Sequence, residues 1–359
     1  MDRAWKDMGA SVVQSRVVTR KNMRVLAFLP ERETITGVTF VRVTGPYARL
    51  RELGYAADWM PYSYARASAQ LGRKEITSYD VYVFQRAGDI DGKLIELILR
   101  LQAAGKKVVW ETDDDYTNEF RHVLDADAVS VAAAADALTV STPSLRKQMI
   151  KHMGEGHPPV YLLQNCINLD FWDSVVWRRV IPSPSIGLVG TPTHHEDWKL
   201  AYPALDRILN ERPDVTLVVG GSCPKYLQEL PNMKFLAPVD YQWYPAMVNQ
   251  IDIGLAPLVD SDKFNWSKSG IKAMEYWSSR AAVVTSDAEP YRRIANEDAM
   301  FLARDEQDWY KCITILLDCP NLRKAMGEAG REWVRTHRNM AHNAEFWWDA
   351  YFELFKGGL

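Results

Sequence analysis

The sequence predicts an α/β protein made of two Rossmann-like, doubly wound, mostly parallel sheets. Three observations predict it. Short apolar runs alternate with helical stretches along the whole chain, the connections between them are short, and the pattern starts afresh at residue 185 after a segment containing Pro182 and Pro184. Strands buried on both faces read as continuous apolar runs, and strand–helix alternation with short connections winds a parallel sheet. Such sheets bind ligands at the carboxyl ends of their strands, so the residues just past each strand are the first candidates for a site.

In order, residues 1–22 read as an extension, basic toward Arg20 and Lys21. Residues 23–30 (MRVLAFLP) form the first strand of a domain spanning 23–172. A loop through Thr34, Ile35, Thr36 and Gly37 leads to a helix from Phe40 to Leu53, closed by Gly54. Gly37 reads either as a turn residue or as a place where a ligand approaches the backbone. Strands at 81–84 (VYVF), 107–110 (KVVW), 137–140 (ALTV) and 159–163 (PVYLL) alternate with helices at 94–104, 126–135 and 144–151. Gln85 and Arg86 follow one strand end. The acid cluster Glu111, Asp113, Asp114 and Asp115 follows the next. It fits a general base, a divalent-cation site, recognition of acceptor hydroxyls, or a helix cap with solvated neighbours.

Residues 173–184 read as a linker. The second domain, 185–340, opens with SIGLVG and the loop holding Thr191, His194 and His195, then gives five more apolar strands: DVTLVVGG, MKFLAP, IDIGLAPL, AAVVTSD and AMFLAR. Residues 341–359 close the chain with an amphipathic helix carrying Trp347, Trp348 and Phe352.

Residues 264–290 hold the strongest functional signal. Ser267, Lys268, Ser269 and Gly270 precede a periodic segment beginning at Ile271, so a polar loop ends at a helix N-terminus. Free N–H groups there, with the helix dipole and Lys268 and Lys272 nearby, suit a diphosphate. Glu275 lies one turn on, about 6 Å along the axis at roughly 1.5 Å per residue. One carboxylate at that distance suits the vicinal hydroxyls of a ribose. An ordinary helix with a capping serine and a solvated Lys/Glu face explains the same residues more plainly.

The 359 residues are 47% hydrophobic and carry a net charge of −3, which gives no global attraction to polyanions. No apolar run approaches the roughly 20 residues that span a bilayer, and the first residues lack the apolar core of a signal peptide, so a cytoplasmic protein is expected. The four cysteines form no C-x-x-C pair, so neither a disulfide framework nor a zinc site is expected. No G-x-G-x-x-G follows the first strand of either half, which disfavours a dinucleotide enzyme.

Lys268, Ser269, Lys272, Glu275 and Tyr276, followed by Ala282, Val283, Val284, Thr285 and Ser286, resemble the donor segment of the GT-B glycosyltransferases. They are closest to the retaining, family-4-like enzymes of glycosyl transferases group 1, with K-S-x-x-K-x-x-E-Y before P-V-V-x-S. The end of the first half, with S-T-P-x-L and then Asn165, Ile167 and Asn168, resembles the same family; Cys166 and Asn168 depart from its P-N-G-I-D.

The resemblance implies two domains facing a central cleft, a nucleoside diphosphate sugar (UDP- or GDP-linked) as co-substrate, no cofactor and no metal. It implies diphosphate binding by Ser267, Lys268, Ser269, Gly270 and Ile271, and ribose binding by Glu275. Asp113, Asp114 and His194 are the catalytic candidates, with Gly37, Gln85, Arg86, Thr191 and Lys272 as further contacts to donor or acceptor. The acceptor is a hydroxyl of a glycan, a lipid-linked sugar, a protein or a hydroxymethylated base of viral DNA, since compact GT-B proteins of this style occur in phage. For DNA, Arg20, Lys21, Arg24, Arg42, Arg49 and Arg51 would supply the basic contacts.

Two departures stand out. Ser267 occupies the place of the first Glu of the family's E-x7-E pair, and Thr191 and Glu196 occupy the places of an Arg and a Lys that neutralise the diphosphate. His194, His195, Lys199, Lys263 and Lys268 are the candidates to replace that charge. The gaps leave a non-catalytic nucleotide-sugar-binding module as the alternative, with a UDP-sugar epimerase of the same architecture behind it.

Overall fold

A computed structural model describes residues 17–30, 36–62, 78–87, 93–116 and 126–357. The chain divides into two compact units: residues 1–164 with 343–359, and residues 165–342.

The first unit holds a parallel sheet of β1 (Arg24–Leu29), β2 (Ala56–Pro61), β3 (Val81–Gln85), β4 (Lys107–Thr112), β5 (Ala137–Val140) and β6 (Val160–Leu162), in the order β2-β1-β3-β4-β5-β6. Alternate residues along a strand leave opposite faces. On one face Phe28, Phe84, Trp110 and Leu138 pack with Leu94, Ile98, Val131, Leu145 and Met149 of the intervening helices.

The second unit holds β7 (Ser185–Gly190), β8 (Thr216–Gly221), β9 (Met233–Leu236), β10 (Ile253–Ala256), β11 (Ala282–Ser286) and β12 (Met300–Ala303), in the order β12-β11-β10-β7-β8-β9. Read from β9, this is the doubly wound order 3-2-1-4-5-6, and its direction of winding reverses between β7 and β10. That reversal marks the crevice where such sheets take ligands.

The structure departs from the sequence reading in four places. The helix expected from Phe40 to Leu53 begins with a π turn, Phe40–Thr44, before the α-helical Gly45–Glu52. Pro46 has no N–H for the carbonyl of Arg42 four residues back, and that carbonyl accepts from Trp347 Nε1 at 3.1 Å instead. The strand β2 was not expected, because its half-buried sequence AADWMP gives no clean apolar run; it is an edge strand that ends on a proline.

The end of the expected N-terminal extension is fastened down. Arg20 donates to Asp349 Oδ1 at 2.7 Å and Glu345 Oε1 at 2.9 Å, and Trp348 Nε1 donates to the carbonyl of Arg20. The rest of that extension, 1–16, lies outside the described residues, as do Thr34 and Ile35 of the first loop. Finally, the stretch expected as a linker belongs to the second unit: Trp172 Nε1 donates to Ser279 Oγ, Arg331 pairs with Asp173, and Arg179 pairs with Asp252 at 2.7 Å. The chain passes between units at 164 and 165, and again at 342 and 343, so the closing helix Glu345–Phe355 lies in the first unit.

Candidate active site

In the second unit, the loop at 267–270 runs into the helix Ile271–Ser278, whose first turn has no side-chain cap. Its N–H groups are therefore open to an acceptor from outside. Gly270 allows this packing: a Cβ there would lie 2.3 Å from Ile294 Cδ1. The helix is fixed to the sheet by Tyr276, whose hydroxyl accepts from Val189 N and donates to the carbonyl of Gly187 on β7.

Glu275 is buried, and its Oε2 accepts from Lys272 Nζ at 2.7 Å and from the Tyr244 hydroxyl at 2.8 Å. Lys272 Nζ also reaches the Tyr244 hydroxyl at 3.0 Å. Burial works against the Lys272 charge, but the Glu275 carboxylate outweighs it and holds the lysine pKa above its ordinary value. Burial, and then Glu275, push the Tyr244 phenol well up. Tyr241 stacks on Tyr244, with ring centres 5.3 Å apart. Ser269 Oγ accepts from Asn165 Nδ2 at 2.8 Å.

The loop after β7 faces the same cations. His194 Nδ1 lies 3.5 Å from Asp197 Oδ2. Burial lowers its pKa to about 4; Asp197 opposes the shift, while Lys268 and Lys272 add to it. Asp197 is fully buried, and its Oδ1 accepts from Val259 N and from Asn265 Nδ2, both at 3.0 Å, tying this loop to the one after β10. Despite burial, the contacts with His194 and Lys268 hold the Asp197 carboxyl below its usual range. Thr191 bonds Thr193 at 2.8 Å, Glu196 pairs with Lys199 on the surface, and His195 Nε2 meets Ser222 Oγ.

In the first unit the acid cluster is divided. Glu111 lies within β4, fully buried, with Oε1 paired to Arg42 Nε at 2.6 Å. Arg86, at φ +50°, donates from Nε to the Tyr116 hydroxyl at 2.6 Å and pairs with Asp114 Oδ2 at 3.0 Å. Burial, with Asp114 next to it, pushes the Asp113 carboxyl up to about 7, against the pull of Arg86. Among the described residues no three His, Cys, Asp or Glu side chains gather as a metal set. Gly37 opens a short turn capped by Thr36.

Residues 202–349 match a family model described as glycosyl transferase-like. No curated protein matches the chain at a significant level. Among solved structures, an alpha-glucosyltransferase in complex with UDP-glucose and DNA containing an abasic site superposes with a TM-score of 0.69 at 13% identity, over 92% of this chain and 99% of that one. HepE of Anabaena in complex with UDP gives 0.64 at 13%, over 92% and 100%. The sucrose-phosphate synthase of Thermosynechococcus elongatus gives 0.63 at 13%, over 94% and 100%. The chain has the GT-B fold, and its residues 202–349 are glycosyl transferase-like.

Within this GT-B fold, the structure brings Ser269, Lys268, Lys272, Glu275 and His194 together in the second unit, and Gln85, Arg86, Asp113 and Asp114 together in the first. The sequence reading missed Tyr244, Asp197 and Asn265 around the former, and Arg42 as the partner of Glu111. Their partners lie 31 to 69 residues away in sequence, where no local period links them.

Proposed function

We propose that the chain is a glycosyltransferase that takes its sugar from a UDP-sugar held by the second unit and passes it to a hydroxyl acceptor. The observation that carries this reading is the Lys272, Glu275 and Tyr244 network on an uncapped helix start beside Lys268 and His194. Uncapped N–H groups and lysines neutralise a departing diphosphate as negative charge builds on it. Glu275 Oε2 is taken up by Lys272 and Tyr244, which leaves Oε1 as the oxygen to accept from a ribose hydroxyl. UDP or UDP-glucose in two of the similar structures supports uridine as the base.

His194 stands in for the missing basic pair. With Nδ1–H directed at Asp197, the neutral ring keeps a lone pair on Nε2 and gains a second donor only on protonation. A bound diphosphate offsets Lys268 and Lys272 and so favours the protonated ring. Ser267, which is buried where family-4-like enzymes carry a carboxylate, leaves the sugar with one anchor fewer. We take the transfer to retain configuration, as the sequence resemblance to the family-4-like enzymes implies. Asp113, held near neutrality, is the group in the first unit suited to take a proton from an acceptor hydroxyl.

A DNA acceptor finds little support in the basic residues of the first unit. Arg20, Arg42, Arg49 and Arg51 pair with Glu345 and Asp349, Glu111, Glu52 and Asp58, and Arg24 lies over the Tyr79 ring.

The test is a thermal-shift screen of UDP, GDP, ADP and their sugars against wild type and Glu275→Ala. Ligand at 100 times its dissociation constant stabilises the native state by about 2.7 kcal/mol. A shift with UDP that vanishes in the variant is expected; no shift with any nucleotide rejects the transferase. Tight UDP binding without hydrolysis or transfer from any UDP-sugar would leave a binding module.

A further inference from the structure

Tyr244 reaches Glu275 from a separate element. It opens the helix Tyr244–Val248 between β9 and β10, whereas Lys272 and Glu275 stand one turn apart on the helix Ile271–Ser278. Its hydroxyl donates to Glu275 Oε2 at 2.8 Å and accepts from Lys272 Nζ at 3.0 Å, while Lys272 Nζ also donates to Oε2 at 2.7 Å. The three groups close a ring of hydrogen bonds. Among the described residues, every hydrogen bond to this carboxylate ends on Oε2, so Oε1 keeps both of its lone pairs.

The Tyr244 ring is itself held on its face and at its edge. It stacks on Tyr241 with centres 5.3 Å apart and planes 15° from parallel, and Tyr241 stacks in turn on Phe171 at 6.1 Å. Trp172 meets Tyr244 edge-on at 6.0 Å, with its own Nε1 fixed to Ser279 Oγ at 2.9 Å. Lys272 already neutralises the carboxylate, so charge does not require the phenol. An ammonium on a flexible stem is a point charge that serves either oxygen equally, whereas a phenol packed in this way fixes which oxygen is taken. Its proton stays in place, because burial and then Glu275 push its pKa well up.

We propose that Tyr244 is a positioning residue that sets specificity: by holding Oε2 it turns Oε1 toward the vicinal hydroxyls of the nucleotide, and so selects ribonucleoside over 2′-deoxyribonucleoside diphosphates. The placing of a ribose at Glu275 rests on the transferase reading above. Two hydroxyls match the two lone pairs of Oε1. Glu275 is only 5% exposed, so a deoxyribose leaves one of those lone pairs short of both its ligand and water. A site built to bond a hydroxyl rejects the analogue lacking it for that reason. Without the phenol, the carboxylate turns about its bond to share both oxygens with Lys272, and the selection weakens.

Tyr244→Phe removes the hydroxyl and keeps the stacked ring. Titration calorimetry measures the dissociation constants of UDP and 2′-deoxy-UDP for wild type and variant, and the ratio of the two constants is the quantity that decides. Wild type should prefer UDP by about tenfold or more. Tyr244→Phe should bring that preference to within about twofold, through weaker UDP binding and with the 2′-deoxy-UDP constant held. A purely structural tyrosine would weaken both nucleotides alike and leave the ratio as in wild type, which overturns the proposal. Equal binding of the two nucleotides by wild type overturns it as well, while leaving the transferase reading intact. No binding of UDP to wild type removes that reading and this one together. Should Tyr244→Phe fail to fold, Tyr241→Leu decides, since it keeps the hydroxyl but removes the ring beneath it and should lower the same ratio.

Discussion

Glu275 serves two ends in the proposed site, since the carboxylate we assign to a ribose also neutralises Lys272 inside the second unit. Glu275→Gln keeps the size and removes the charge, so urea unfolding should show a loss of about 2 kcal/mol, the usual worth of a hydrogen bond to a charged group. The UDP-induced shift should disappear in the same variant. Burial makes His194 take up its proton only at lower pH than an exposed histidine does. Its folded pKa is depressed from 6.5 to about 4, so its share of stability is present above pH 6.5 and is lost as pH falls toward 4. His194→Gln should flatten that part of the stability profile. If the ring acts as a proton-dependent phosphate donor, wild type should also bind UDP more tightly at pH 6 than the variant does, with the two converging at pH 8. Asp113 runs the other way. Its pKa is raised from 3.8 to about 7, so its contribution is full below 3.8 and fades as pH rises to 7, and Asp113→Asn should stabilise the protein at pH 8 while lowering transfer. Equal stability of the two proteins at pH 8 would refute the shift.

At the level of elements, the second sheet was legible because each of its strands is a run of apolar residues bounded by turn residues. The helix Ile271–Ser278 was legible because its signals are local: a polar loop, a glycine and a period of 3.6. What escaped the sequence reading depended on distant partners. The π turn at Phe40–Thr44 needs Trp347, some three hundred residues on, to satisfy the Arg42 carbonyl that Pro46 leaves open. Trp347→Phe should cost about 1–3 kcal/mol for the stranded carbonyl, measured by urea unfolding, and a smaller loss would show that the turn satisfies it otherwise. β2 escaped because an edge strand half exposed to solvent has no reason to be uniformly apolar. The fit of Gly254 on β10 beneath Tyr276 is of the same kind. A Cβ there would lie 2.2 Å from the ring, which the Val189 and Gly187 bonds hold in place. Gly254→Ala should therefore destabilise the second unit by about 1–3 kcal/mol.

At the scale of the molecule, each unit has its own six-stranded sheet and its own apolar core, and the two candidate sites divide between them. The residues proposed to hold the donor all fall within 165–342, whereas Arg86, Asp113 and Asp114 fall in the first unit. Local opening governs amide exchange, and a ligand slows exchange where it contacts or orders the chain. UDP should therefore slow exchange first at 190–195 and 267–278, through the amides at the helix start and the loop that holds His194. Glu275→Ala should abolish that protection while leaving the exchange of β1 to β6 unchanged. Protection by UDP confined to the first unit would mean that the start of the helix Ile271–Ser278 holds no diphosphate. The diphosphate site would then have to be sought at the strand ends of the other sheet.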